Sequence, residues 1–423
     1  MLNHRNNDLK INKSSLTKYD KQMLLVILLA VIARLFLTLL PSYRIDMEGY
    51  KAWSKYLAAN GAAGFYETYH VVYGPVYLYL LAITGKLVSL FSLNIQNHEF
   101  LIKLWSVIAD FISAYLIFTL GRKIGKGKKG FVIGILYFLN PVVIFDSSIW
   151  GQFDSICAAM LLEVIYLFDN NRKIAAVLLF GTAVLLKPQS AFLAPIVLLL
   201  YFKDFSLRRV NDWKRLGLTV VGGIAVYLAF VMPFTFNKPI YWVIDLYLFS
   251  GGDYPYATAN GFNLWTLLGG QAVNDSEPFL LLTYASWSII LLFVSVVFCS
   301  VLIFKRWTSD LYLYYLTYLL QLAVFFFGTR MHERYLFPAF IFLFACMLWD
   351  IRLALPGAVL SLCGLANQWY IYEKAKSGIY WIDRGDTFAT LFALLTLIVF
   401  IYSIYYSLKK MNKLKVQPMS YKF

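Results

Sequence analysis

The chain has 423 residues, of which 60% are hydrophobic, 18% aromatic and only 14% charged, with a mean hydropathy of +0.64. Apolar runs near bilayer length recur from Gln22 to Leu408, which excludes a soluble multi-domain protein and implies one all-α polytopic membrane domain spanning residues 1–423. The net charge of +15 is read as membrane topology, and no nucleic-acid partner is expected.

The N-terminal stretch MLNHRNNDLKINKSSLTKYDK is polar and basic, and an apolar run follows it without a small-residue cleavage site before PSYRID. That pattern predicts a retained first span rather than a removed signal peptide. Spans are expected at 22–41, 100–120, 131–149, 154–168, 174–186, 189–202, 216–236, 279–304, 311–328, 335–350, 353–371 and 387–408. The total is therefore about twelve. The segment 73–92, YGPVYLYLLAITGKLVSLF, is ambiguous in length and is broken by Gly74-Pro75 and Gly85-Lys86.

Basic residues resolve that ambiguity. If 73–92 stays on one side, Arg5, Lys10, Lys13, Lys18 and Lys21 share a compartment with GRKIGKGKKG, Arg172, Lys173, KDFSLRRVNDWKR, Lys305, Arg306, Arg352 and the basic tail. That is most of the 38 Lys and Arg. If the segment crosses, every later loop changes side and the asymmetry collapses. The positive-inside rule then places 73–92 at the outer interface and both termini in the cytoplasm. Residues 42–99 form a first external loop with interfacial helices, 237–278 a second external loop, and 409–423 a cytoplasmic tail. The basic loops themselves read as topology determinants drawn to anionic lipid.

The polar motifs therefore fall together on the external side. In the first loop Asp46, Tyr50 and Trp53 share one helical face, and Glu48 points elsewhere. Two readings of Asp46 stand: a general base beside sugar-holding rings, or a residue opening an interfacial helix. In SSIWGQFDSI, Trp150, Gln152 and Asp154 are packed into a short loop, where Trp150 suits the interface and Asp154 can serve as an N-cap or in a site. In LLKPQSAFLAP, Lys187 stands at a tight external turn beside Gln189, where its ammonium either snorkels or meets an anion. The loop DYPYATANGFNLWTLLGG, with Asn260 and Asn263, reads as a lid, a re-entrant element or a long loop over a cavity.

The motif GTRMHERYLFPAF sets Arg330 and Arg334 four residues apart with His332 and Glu333 between them. Each such charge costs about 2.5–3.5 kcal/mol at a span centre. A mutual salt-bridge knot is one explanation. Counting Lys187, however, the cations exceed the one carboxylate, which favours a phosphate site. The four cysteines, Cys157, Cys299, Cys346 and Cys363, stand singly in apolar runs and read as small core residues. Asp46 and Glu48 are too few ligands to argue for a metal, and no cofactor is expected, with a divalent ion left open.

An external base, external cations and aromatics beside an interfacial segment suit a lipid-linked phosphate whose tail stays in the bilayer. In glycosyl transfer from a polyprenyl phosphate sugar the leaving group is already a stabilised anion, so cations hold the phosphate and one carboxylate takes the acceptor's proton. No nucleotide-binding signature is visible.

These motifs resemble, in order, those of the GT-C glycosyltransferases that use polyprenyl-phosphate sugars, above all the dolichyl-phosphate-glucose glucosyltransferases of the N-glycan pathway and their bacterial relatives. DMEGYKAW (46–53) is similar to a D-Y-E-A-x-R-x-W stretch, and YGPVYLY, headed by Tyr73, to a Y-P-P-L segment. MHER (331–334) is similar to a V-H-E-K motif, WGQFDS loosely to a Phe-Gln-Tyr-Asn turn, and LKPQS to a Lys-Gln stretch. Met47, Gly74 and Arg334 depart from the family's residues. The resemblance implies a GT-C fold and metal-independent inverting transfer of a hexose on the external face. Asp46 would be the base, with His332 and Arg334 at the donor phosphate. Glu48, Tyr50, Trp53, Tyr73, Trp150, Gln152, Asp154, Lys187, Gln189, Asn260, Asn263, Arg330 and Glu333 are further candidates for substrate binding.

The expected partners are a polyprenyl-phosphate-linked sugar, a glycan, lipid-linked or protein acceptor, and membrane lipids. Composition suggests a bacterial plasma membrane and an undecaprenyl carrier, with the active site extracytoplasmic. A flippase or transporter of a lipid-linked sugar, or a surface polysaccharide polymerase or ligase, are the competing readings. The first lacks visible internal repeats, and the second gives no reason for DMEGYKAW.

Overall fold

A computed structural model describes residues 18–249, 252, 254–306 and 310–410. The N-terminal basic residues before Lys18 and the tail beyond 410 lie outside the described residues. The first helix, Lys18–Leu37, leads through Pro41 into Arg44–Asn60, the short Phe65–Thr68 and then Pro75–Leu90. The last spans sixteen residues, about 24 Å of helix, which is short of a hydrocarbon core of about 30 Å. It packs along Arg44–Asn60 through Gly85, where an added Cβ would sit 2.1 Å from the Ser54 carbonyl oxygen. Ser54 Oγ in turn donates to the Leu81 carbonyl at 2.9 Å.

Two kinds of long helix follow. Val210–Phe234 and Tyr284–Phe304 are only 11% and 17% buried within the protein, so their apolar faces are left for lipid. Asp310–Phe327 is 89% buried and forms the centre of the bundle. Ile95–Lys123 and Thr387–Lys409 are intermediate. Among the described residues, five helices are thus long and apolar enough to cross a membrane, or six if one bent pair counts as a span. The chain is an integral membrane protein.

Several expected spans are not single straight helices. The stretch 131–149 breaks at Asn140, where Pro141 lacks an N–H and the Asn140 side chain caps Val142; the two halves meet at 48°. Residues 145–150 then continue as a π-helical turn. The stretch 189–202 opens as a 3₁₀ turn, Pro188–Leu193, before Ala194–Phe202. The stretch 335–350 contains only the ten-residue Phe337–Cys346, buried except at Pro338 and about 15 Å long. The stretch 279–304 begins as an antiparallel hairpin, Pro278–Phe279 with Leu282–Thr283, so its helix starts at Tyr284. Apolar composition marks burial in either lipid or protein, and here short buried helices share it with spanning ones. The four cysteines are free and buried.

Candidate functional site

The Arg44–Asn60 helix, the π-turn after Phe145, the loop at Lys187 and the turn after Gly328 converge on one cluster of charges. Asp46 lies in the first turn of its helix, but Tyr43 occupies the cap position and no side chain caps there. Asp46 Oδ2 instead accepts from Trp150 Nε1 at 2.8 Å and Gln152 Nε2 at 2.6 Å, with Arg334 Nη1 3.6 Å away. Asp46 Oδ1 has no hydrogen-bond partner among the described residues, and the side chain is 19% exposed.

Gln152 is itself held, because Tyr50 donates to its Oε1 at 3.0 Å. The Tyr50 ring meets Trp53, Tyr73, Tyr77 and Phe153. Trp53 is thus an edge-on member of an aromatic wall. Trp150 is fully buried rather than interfacial: it stacks on Tyr43 at 4.2 Å, and the Arg334 guanidinium lies 5.1 Å from its ring. The π-turn makes this possible by directing both Gly151 and Gln152 N–H groups to the Asp146 carbonyl at 3.0 Å. Glu48 points away and pairs with Lys51 at 2.7 Å, 62% exposed.

The turn at 330–334 is not helical, so Arg330 and Arg334 do not share a face. Arg330 pairs with Asp275 at 2.6 Å, away from Asp46. Arg334 binds Glu333 Oε1 at 2.5 Å, and its Nε, with no hydrogen-bond partner among the described residues, stands 3.9 Å from Asp154 Oδ2. Lys187 is buried and forms an ion pair with Asp154, lying 5.3 Å from the rings of both Phe153 and Tyr335. Gln189 donates to the Tyr335 hydroxyl at 2.8 Å. Asp154 thus heads its helix as an ion-pair partner, with no side-chain cap bond.

The charge count expected from the sequence is corrected here. Lys187 and Arg334 face Asp46, Asp154 and Glu333, so the cluster carries no surplus of cations. Tertiary contacts import carboxylates that sequence neighbours do not reveal. Burial pushes the Glu333 carboxyl up from the usual range, with Arg334 pulling it back in part. Burial, helped by Arg334 and Lys187, pushes His332 down to about 3, so its imidazole is neutral near pH 7 and packs on Tyr254 and Tyr335. Although burial pulls the Lys187 ammonium down, Asp154 holds it above its ordinary value.

The long loop buttresses this turn. The N–H groups of Ala259 and Gly261 both donate to the Met331 carbonyl, at 3.0 and 3.1 Å, and Arg330 N–H donates to Tyr256. Asn263 caps Trp265 and Thr266 and donates to the Phe325 and Gly328 carbonyls. Asn260 donates to the Tyr380 carbonyl and accepts from Gln271 and Ile382. Both amides are spent inside the protein, as positioning contacts. Gly74, where the resembled family has proline, lies against the Leu185 carbonyl; an added Cβ would sit 2.0 Å away.

A narrow cavity of about 20 Å³, room for one water, opens beside Lys187 and Asp154 and is lined also by Cys157, Gln189, Gln321 and Tyr335. Gln321 Nε2 and Gln189 Oε1 are buried there without partners among the described residues. Gln321 was not singled out from the sequence, although a lone amide within DLYLYYLTYLLQLAVFFF carries the signal of an intramembrane polar group. Asp146, buried with both carboxylate oxygens unpartnered among the described residues, was missed as well. No group of three or more His, Cys, Asp or Glu able to hold a metal ion occurs among the described residues.

Fold and site together define a mostly helical membrane protein with a buried cluster of acidic and basic side chains. Residues 50–250 match the family model described as GPI transamidase subunit PIG-U, a stretch that begins after Asp46 and ends before the 330–334 turn. Among solved structures, ArnT from Cupriavidus metallidurans in the apo state is similar, with 14% identity and a TM-score of 0.47 over 92% of this chain and 78% of that one. No curated protein matches the chain in sequence.

Proposed function

We propose that this protein is a GT-C-type membrane glycosyltransferase that moves a hexose from a polyprenyl phosphate to an acceptor hydroxyl on the extracytoplasmic face. The observation that carries this reading is the Asp46 carboxylate. One oxygen is fixed by Trp150 and Gln152, and the other is unpartnered and partly exposed. That is the arrangement a general base needs: a fixed carboxylate with a lone pair free for an incoming hydroxyl. The motif order of the GT-C resemblance supports it, and the sixteen-residue Pro75–Leu90 fits an interfacial element in the external loop 42–99.

In the proposed step the acceptor oxygen attacks the anomeric carbon from the face opposite the phosphate. The carbon–oxygen bond to the phosphate breaks, its electron pair leaves with polyprenyl phosphate, and the acceptor proton passes to Asp46 Oδ1. Lys187 and Arg334 are already partnered, so the donor phosphate gains most from donors that are free, Arg334 Nε and Gln321 Nε2. His332 would contribute as a neutral hydrogen-bonding group. Both termini would be cytoplasmic, in a bacterial plasma membrane.

A second reading is favoured by the match over residues 50–250: a subunit of a membrane complex that processes lipid-linked glycans, without transfer chemistry of its own. The purified chain, given undecaprenyl phosphate hexose and membrane-extracted acceptor, separates the two. Transfer by wild type, lost in Asp46→Asn with folding intact, supports the transferase; equal activity in both removes Asp46 as base. No transfer in wild type under any donor hexose favours the subunit reading.

A further inference from the structure

A second concavity lies on the same side of the bundle as Asp46 and has no part in the cluster described above. It is an open groove of about 390 Å³ between the first loop, residues 66–71, and residues 238–246. That volume is within the range of small-ligand sites, about 300–1,000 Å³. Its walls are the rings of Tyr66, Tyr69 and Trp242, and its rim carries His70, Lys238 and Asp245.

The walls are fixed before any ligand arrives. Tyr66 and Trp242 have ring centroids 4.5 Å apart, tilted at 56°. The Trp242 indole donates to Thr235 Oγ1 at 3.0 Å, and the Tyr66 hydroxyl donates to the Tyr73 carbonyl at 2.8 Å. Tyr69 rests on Tyr56 and Phe65, each 5.4 Å away between centroids. Rigid aromatic faces lose little entropy on binding and suit a ligand that is apolar on one face and polar at its edges.

The rim selects among such ligands. Lys238 lies 3.4 Å from Glu67, so its charge is already answered. Asp245, half-buried, makes no hydrogen bond or ion pair among the described residues. With Glu67 and Asp245 against Lys238, the rim repels rather than attracts an anionic headgroup. A free carboxylate beside aromatic planes matches a neutral sugar, whose hydroxyls donate to the carboxylate while its C–H face lies on a ring.

The groove is also coupled to the proposed chemistry. Tyr66 holds the backbone of Tyr73, and the Tyr73 ring packs on Tyr50, Trp53 and Phe153. Tyr50 in turn holds Gln152 against Asp46. Tyr73, Tyr50 and Gln152 therefore connect the groove to the base.

We infer that this groove binds a neutral oligosaccharide, the part of the acceptor glycan remote from the attacking hydroxyl; that role rests on the transferase reading, whereas the binding itself does not. Saturation-transfer NMR on the purified full-length chain with maltotriose, mannotriose and, as a headgroup mimic, glycerol phosphate tests it. At least one trisaccharide should bind, and Asp245→Asn and Tyr69→Leu should each weaken it about fivefold or more, the scale of one hydrogen bond or ring contact. Binding of neither sugar, affinity unchanged in Asp245→Asn, or Asp245-dependent binding of glycerol phosphate instead would overturn the assignment. In the transfer assay Asp245→Asn should raise the acceptor KM about fivefold or more with little change in the donor KM; equal changes in both argue against a distinct acceptor site. Should Asp46→Asn retain full transfer activity, the base assignment fails while trisaccharide binding stands or falls on the NMR result alone.

Discussion

Two of the buried charged clusters among the described residues differ in what surrounds them. Arg34, on the first helix, forms an ion pair with Asp110 on Ile95–Lys123, and Ser147 on the π-turn binds both, at 2.6 Å each. All three side chains are sealed. The Asp46–Arg334 cluster uses the same chemistry, but one of its carboxylate oxygens is open and it adjoins a cavity. The lesson is that ion pairing alone does not mark a site. A closed cluster ties helices together; an open one leaves an atom free to act.

Breaking each cluster should therefore give different losses. For Arg34→Leu, which strands the Asp110 carboxylate, thermal or denaturant unfolding in detergent should show the largest stability loss, about 3–5 kcal/mol. The double variant Arg34→Leu/Asp110→Leu should recover part of it, because neither charge of the pair is then left without the other. A single variant as stable as wild type would mean the two clusters are not different in kind. Asp46→Asn should show the reverse, with transfer reduced about 10²–10⁴-fold and little change in unfolding.

Smaller effects sharpen the contrast. Gln152→Ala frees Asp46 Oδ2 from one of its two hydrogen bonds, so kcat should fall about tenfold with less change in the donor KM. A pure KM effect would make Gln152 a substrate contact instead. Gln321→Leu should raise the donor KM about five- to tenfold, the value of one neutral hydrogen bond, without lowering the unfolding temperature. A lowered unfolding temperature with unchanged KM would make Gln321 a packing residue.

The effect that is smallest at neutral pH is that of protonation. His332 takes its proton near pH 3 when folded but near its ordinary value, about 6.5, when unfolded. Between those values the unfolded chain binds the proton and the folded chain does not, so stability falls as pH drops through that window. His332→Asn should flatten that decline, seen as unfolding temperature against pH. The rate profile between pH 6 and 8 should keep its shape in the same variant. A limb near pH 6.5 that disappears with the substitution would give His332 a protonic role.

Much of the fold was legible in the sequence because hydropathy is a local property. The membrane class, the helical content and the shared face of Asp46, Tyr50 and Trp53 follow from composition and a 3.6-residue period. The span count was less legible, because short helices buried in protein, such as Phe337–Cys346, are as apolar as helices facing lipid. Trp150 shows the same limit: a Trp in a short loop looks interfacial, yet the π-turn folds it inward onto Asp46.

What the sequence determined by itself is therefore the solvent of this protein and the inventory of its polar residues. Only the tertiary structure decided how those residues are partnered. Arg330 and Arg334 are four residues apart in the chain, but one is neutralised by Asp275 and the other joins Asp46, Glu333 and Asp154. The cation surplus suggested by the motif vanishes, because electrostatic energy depends on distance through space and the matching carboxylates come from elements up to 288 residues away, as Asp46 is from Arg334.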